Sequence, residues 1–208
     1  MKKLINAVCT LCVSAMVLAL ASCSGGASGA FGSLPEEVKQ YRAEKAELQE
    51  KAKEVKNEAD KRKLIEESQK MEEKWGTRLE ESAKSLDGKE IKIEDGEITV
   101  TSPVSLTFDH MAKSSMSPVF LVNGEAKAAE NIYPDAPLYS SRYRVYLVGY
   151  NAEGVEEMQV RVGYIAAENV DGKGEITAGT PVEFETLMFV AADDINYEAI
   201  TTYKLIAK

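Results

Sequence analysis

Beyond residue 23 the sequence has no cysteine; the three it contains are Cys9, Cys12 and Cys23. Past that point there can be no disulfide framework, no thiolate metal ligand and no cysteine nucleophile. Histidine is almost as scarce, with His110 alone. A Ser-His-Asp arrangement would have to use it, and its neighbour Asp109 does not build one unaided. A metal centre would need carboxylates alone, or His110 with distant acidic partners. His110 reads more simply as a polar residue just past a strand end. Positive charge is also short: 25 Lys and Arg face 34 Asp and Glu, for a net charge of −9 at pH 7. The deficit is concentrated in residues 87–208, with 20 acidic and 10 basic residues. An acidic surface of that kind argues against nucleic acid or anionic head groups as charge-driven partners of this part.

What is present begins with a positive pair, Lys2 and Lys3, and an almost wholly apolar stretch from Leu4 to Leu20. The stretch ends in Leu20-Ala21-Ser22-Cys23. A charged start, an apolar run and a small-residue cleavage site describe a secretory signal over residues 1–22. The tetrapeptide resembles the lipobox of bacterial lipoproteins cut by the type II signal peptidase. That resemblance implies cleavage before Cys23, acylation of Cys23 and a membrane partner reached through the lipid. Several acyl chains make such anchoring stable where one is marginal. The competing reading is a retained transmembrane helix. The run is only at the lower length limit for a span, and Ser24–Gly29 supplies no stop-transfer charge. Ser24 follows the cysteine where an Asp would imply retention at the inner membrane, so the resemblance points to the outer membrane. Residues 24–32 lack the acidic cluster of some surface-exported lipoproteins, which favours the periplasmic face while leaving the surface face open.

Residues 23–32 are Gly/Ser/Ala-rich and are expected to form a flexible tether. At Ser33 the composition changes. Ser33-Leu34-Pro35-Glu36 has the spacing of a capping box, with proline in the first turn. From Leu34 to Leu86 the only glycine is Gly76, and no proline follows Pro35. That run holds 14 acidic and 13 basic residues, with acid-before-base pairs at i,i+4 such as Glu47/Lys51 and Glu80/Lys84. Asp87-Gly88 is a helix stop. Residues 33–87 therefore form a charged helical stalk. Leu34, Val38, Tyr41, Leu48, Ala52, Val55 and Ala59 make a coiled-coil-like seam, whose phase slips before Leu64, Ile65, Met71, Trp75, Leu79 and Leu86. A single long or kinked helix fits, and so does a hairpin turning near Asn57–Lys63. With no Gly or Pro to make the turn, the long helix is the favoured expectation. The bulkier second half should pack on the rest of its own chain, the first half should project as a weakly stable stalk, and self-association through the seam is possible.

From residue 88 the pattern becomes that of strands. Ile91–Ile93 and Ile98–Val100 flank Asp95-Gly96, a two-residue hairpin signal. Val104–Phe108, Val119–Val122 (closed by Asn123-Gly124), Tyr143–Tyr150, Val155–Tyr164, Val182–Val190 and Ile200–Ile206 follow, with turns at Asn151–Gly154 and Asp171–Gly174. The expected class is α+β: the helix, then an antiparallel, immunoglobulin-like β-sandwich over 88–208. Asp171-Gly172-Lys173-Gly174-Glu175 has the alternating carboxylates of a calcium loop, but Lys173 sits at its middle and a hairpin turn accounts for it. Asp193-Asp194 reads as a loop.

Eight of the nine tyrosines lie after residue 130. On Arg142–Tyr150, Tyr143, Val145 and Leu147 share one face, and Arg144, Tyr146, Val148 and Tyr150 the other. On Val155–Tyr164, Met158, Val160, Val162 and Tyr164 form the apolar face, leaving Gln159 and Arg161 outside. Arg144, Tyr146, Tyr150 and Arg161 would then form an exposed aromatic-basic binding patch able to stack on a sugar or dock a protein. Strand propensity alone would also enrich tyrosine there. The expected function is a membrane-anchored envelope lipoprotein acting as a binding module for a protein or glycan. A purely architectural stalk and cap is the alternative, and no enzyme is expected.

Overall fold

A computed structural model describes residues 29–113, 115–135, 141–191 and 194–208. Two helices, α1 (Leu34–Glu54) and α2 (Glu58–Lys84), precede ten strands. One sheet has the order β1 (Glu90–Ile91), β2 (Ile98–Ala112), β3 (Ser117–Ala128), β9 (Thr186–Met188). The other has the order β10 (Ile200–Ala207), β4 (Arg142–Asn151), β5 (Glu156–Ala166), β8 (Val182–Phe184). A small hairpin, β6 (Glu168–Val170) with β7 (Lys173–Glu175), stands apart. All ladders between named strands are antiparallel.

The helical region is a hairpin, and the single long helix is wrong. The break comes at Val55-Lys56-Asn57. Val55 is extended (φ −76°, ψ 121°), and the Asn57 side chain caps α2 by accepting from the Asp60 backbone N–H at 2.9 Å. Asparagine supplies the turn that glycine or proline was expected to supply. The expected capping box at the other end is absent. Ser33 makes no cap bond to the backbone, and its hydroxyl donates to Glu37 at 3.4 Å.

The second helical half packs on its own chain as expected, but the first half does not project as a free stalk. Leu34, Val38 and Tyr41 of α1 are as buried as Met71, Trp75, Leu79 and Ala83 of α2, and all belong to the main core. The division that matters is base against tip. At the base, Glu37 is buried and accepts from Ser82 and from Arg78 (3.5 Å). Arg42 and Lys39 donate to the carbonyls of Ala191 and Ile195, tying α1 to the loop before β10. Toward the tip, apolar side chains such as Ile65 lie in the open.

Residues 29–32, expected to be tether, are part of the fold. Phe31 is 1% exposed and sits among Phe189, Tyr197 and Tyr203 with ring centroids 5.1, 5.9 and 6.4 Å away. The Cys23–Ser28 segment lies outside the described residues.

The apolar faces of the two sheets meet directly. Ile91, Val104, Leu106, Val122 and Leu187 oppose Leu147, Val162 and Leu205 with no room for a water between them. Both lateral margins are stitched. On one, Ile93 bridges Tyr203 in parallel, and the Glu94 N–H donates to the Tyr203 carbonyl at 2.8 Å. On the other, the chain leaves β5 at Phe184 and joins β3 from Thr186 onward. Such closure covers edges that would otherwise template pairing with another chain. It also corrects the Asp95-Gly96 hairpin: Ile91 pairs with Val104, not with the 98–100 segment, because residues 92–94 cross to the other sheet. Asn123-Gly124 is likewise no turn. β3 runs through it, with Gly124 at φ +148° opposite a register shift in β2, where a Cβ would meet the Pro103 carbonyl at 2.9 Å.

Candidate functional site

The outward face of the β10-β4-β5-β8 sheet carries the predicted patch. Alternation along β4 buries Tyr143, Val145 and Leu147 and turns Arg144, Tyr146, Val148 and Tyr150 outward. The ladder to β5 sets Tyr146 opposite Arg161, and Val148 opposite Gln159. All four predicted residues therefore share one face, with Arg144 and Arg161 exposed and the two tyrosines half-buried.

One further residue joins them. The register shifts between Val145 and Tyr146, so that Val145 faces Gly163 while Tyr146 faces Arg161. The extra residue in β5 is Val162, buried next to Gly163. Beyond this bulge the alternation changes phase, and Tyr164 lands opposite Arg144. Tyr164 was expected on the inner face with Met158 and Val162; it is half-buried under Arg161, whose guanidinium stands 5.6 Å from its ring centre. Gly163 was the available signal, because glycine inside a strand marks a bulge or a close backbone approach. Here a Cβ would lie 2.2 Å from the Glu183 carbonyl oxygen.

The patch is electrostatically uneven. Arg161 Nε pairs with Glu185 at 3.8 Å, and Arg142 with Glu183 at 3.3 Å. The Arg144 guanidinium has no side-chain partner among the described residues. Lys208 reaches along the sheet to Gln159 and Glu156, and Val148, though it faces outward, is fully buried. Burial, with the nearby charge of Glu156 as the second cause, raises the Tyr150 hydroxyl above the usual tyrosine value. It stays a neutral hydrogen-bond donor at physiological pH. The face thus offers aromatic rings for stacking, phenol hydroxyls, and the exposed Arg144 guanidinium, suited to a carboxylate or a polar ring substituent.

His110 does not lie just past a strand end, where the simple reading put it. His110 lies on β2 itself, exposed, with Nδ1 2.9 Å from Asp109 Oδ2. Asp171 (φ +51°) and Gly172 (φ +81°) form the two-residue turn of the β6–β7 hairpin. Glu175 accepts from Asn131 and Tyr133 at 2.7 and 2.8 Å, which ties that hairpin to the loop after β3. Asp193 and Pro137 lie outside the described residues. Among the described residues there is no cluster of three metal-ligating side chains, and no helix is long and apolar enough to cross a membrane. Cys23 also lies outside them. No family model, curated protein or solved structure matches the chain.

Proposed function

We propose that this chain is an exported lipoprotein, cleaved before Cys23 and acylated there, whose β-body is a binding module at the cell envelope. The two facing sheets are read as a sandwich of immunoglobulin-like kind, with the helical hairpin attached to it. The outer membrane is the proposed location, by the Ser24 argument. The partner is a protein or glycan that meets the outward face of β4 and β5. The observation that carries this reading is the convergence of Arg144, Tyr146, Tyr150, Arg161 and Tyr164 on one solvent-facing surface. A role in catalysis is not part of the reading.

The architectural alternative has one observation in its favour: Arg161 and Arg142 already answer Glu185 and Glu183, so much of the local charge is neutralised within the chain. The two readings separate in a pull-down with tagged, lipid-bearing protein from detergent-solubilised envelopes. A binding module recovers a stoichiometric partner, and Arg144→Glu with Tyr146→Ala loses it. Recovery of the tagged chain alone, in wild type and variant alike, would leave the architectural reading.

A further inference from the structure

The tip of the helical hairpin is built differently from its base. The last polar contact between the helices toward the tip is Lys45 to Glu72, at 3.7 Å. Beyond it, among the described residues, α1 and α2 diverge around an open groove of about 420 Å³. Leu48, Val55, Leu64 and Ile65 supply its apolar walls, and Ile65 is 57% exposed. The charged residues on its rim are Lys45 and Lys61, and no acidic residue lines it. The opposite side of the hairpin is lined by Glu44, Glu47 and Glu67 alongside lysines.

The charge of the tip as a whole points the same way. Residues 51–63 contain six Lys and Arg against three Asp and Glu, on a chain whose overall charge is −9. Lys53, Lys61 and Lys63 pair with Glu50, Glu58 and Asp60; Lys56 and Arg62 have no ion-pair partner among the described residues, nor does Lys51, which lines the opposite side. An apolar strip edged by lysine and free of acidic lining, on a tip with net positive charge, is the pattern of a helix that lies in a membrane interface. We infer that the open groove of the hairpin tip docks on an anionic lipid surface, giving the protein a second foothold beside its acylated cysteine.

Chain length makes this geometrically possible. Six residue steps separate Cys23 from Gly29, where the fold begins, and they reach at most about 20 Å. α1, which starts from the same end of the body, is about 31 Å long. Tip and lipid can both touch one surface only if the hairpin is inclined, which turns one side of it down. The groove side, free of acid, is the side that fits; the side carrying Glu44, Glu47 and Glu67 then faces water. A second copy of the chain is the competing occupant, but it would set one basic tip, with six Lys and Arg against three acids over residues 51–63, against another.

The inference rests on the anchor at Cys23, and one preparation tests both. The full acylated protein carrying Ile65→Cys is labelled there with an environment-sensitive dye, since no other free thiol remains in the processed chain. It is reconstituted into phosphatidylethanolamine–phosphatidylglycerol vesicles and, separately, into phosphatidylcholine vesicles. The expected result in the anionic vesicles is blue-shifted emission that is quenched by spin-labelled lipid. High salt should reverse it, as should Lys61→Glu with Arg62→Glu. Dye that stays in water in both vesicle types overturns the docking. So does dye–dye proximity that persists in detergent, which would put a second copy in the groove. Intact mass of the same preparation reports the anchor on its own: acylated protein with an exposed dye would sink the docking and leave the anchor standing.

Discussion

Trp75 donates its indole N–H to Glu44 Oε2 at 2.6 Å, across the two helices of the hairpin. The pair lies where the hairpin is still closed, with Tyr41 6.3 Å from the Trp75 ring and Arg78 over its face at 5.2 Å. Trp75 is 3% exposed, so its emission in the intact protein should be blue-shifted. Trp75→Ala should cost about 3–5 kcal/mol in urea unfolding, because it leaves a large cavity. Glu44→Gln, which can still accept the bond, should cost under about 1 kcal/mol. An emission maximum typical of exposed indole in the wild-type protein would contradict the hairpin.

Phe31 tests whether the fold begins before the helix. As a tether residue it could become alanine without consequence. As a buried ring among Phe189, Tyr197 and Tyr203, its removal should cost about 3–5 kcal/mol. Chemical denaturation of Phe31→Ala against Ser33→Ala as a nearby control separates the two; equal midpoints would return residues 29–32 to the tether.

The same cluster sets an alkaline limit. Burial raises the hydroxyls of both Tyr197 and Tyr203 above the ordinary tyrosine value of 10.0. Tyr197 donates to the Val190 carbonyl at 2.9 Å, whereas the Tyr203 hydroxyl is buried with only a marginal approach to the Ala30 backbone. A raised acid pKa in the folded state means that unfolding releases the proton more readily. Stability is therefore full below the ordinary value and falls as pH rises through it toward the folded value. Melting temperature should drop above pH 10. Tyr203→Phe should be at least as stable as wild type at pH 7, since it removes an unsatisfied hydroxyl, and should show a shallower alkaline drop. A lower melting temperature for Tyr203→Phe at neutral pH would refute this.

Gly163 holds the bulge that brings Tyr164 to the aromatic face. Gly163→Ala should cost about 1–3 kcal/mol or more, because its Cβ would overlap the Glu183 backbone. Ala166→Gly, on the same strand and exposed, should cost no more than about 1 kcal/mol. Thermal unfolding that ranks the two in the opposite order would argue against the bulge.

The parts legible in the sequence were those set by local periodicity. The charged run after Ser33, with no proline past Pro35, announced helix, and the alternation along Tyr143–Tyr150 put Arg144, Tyr146 and Tyr150 on one face. What escaped depended on contacts distant in sequence. The Val55–Asn57 break has no glycine or proline, and contacts distant in sequence, such as Trp75 with Glu44 and Ser82 with Glu37, show that the helices fold back. Phe31 sits in a Gly/Ser/Ala stretch, and Phe189, Tyr197 and Tyr203, far along the chain, explain its burial. Tyr164 was misplaced because strict alternation was carried through Gly163, where the ladder slips by one residue. Nothing local at Asp95-Gly96 signals that residues 92–94 cross to the opposite sheet, since the partner there is Tyr203.

The anchor is the claim on which location, partner and second foothold all rest, and the intact mass of the protein purified from envelope membranes tests it most directly. The account predicts a chain of residues 23–208 whose excess mass over the polypeptide is that of the acyl groups on Cys23, and predicts that Cys23→Ala is either uncleaved or free of lipid. A wild-type chain that keeps residues 1–22, or that begins at any residue other than an acylated Cys23, would contradict it.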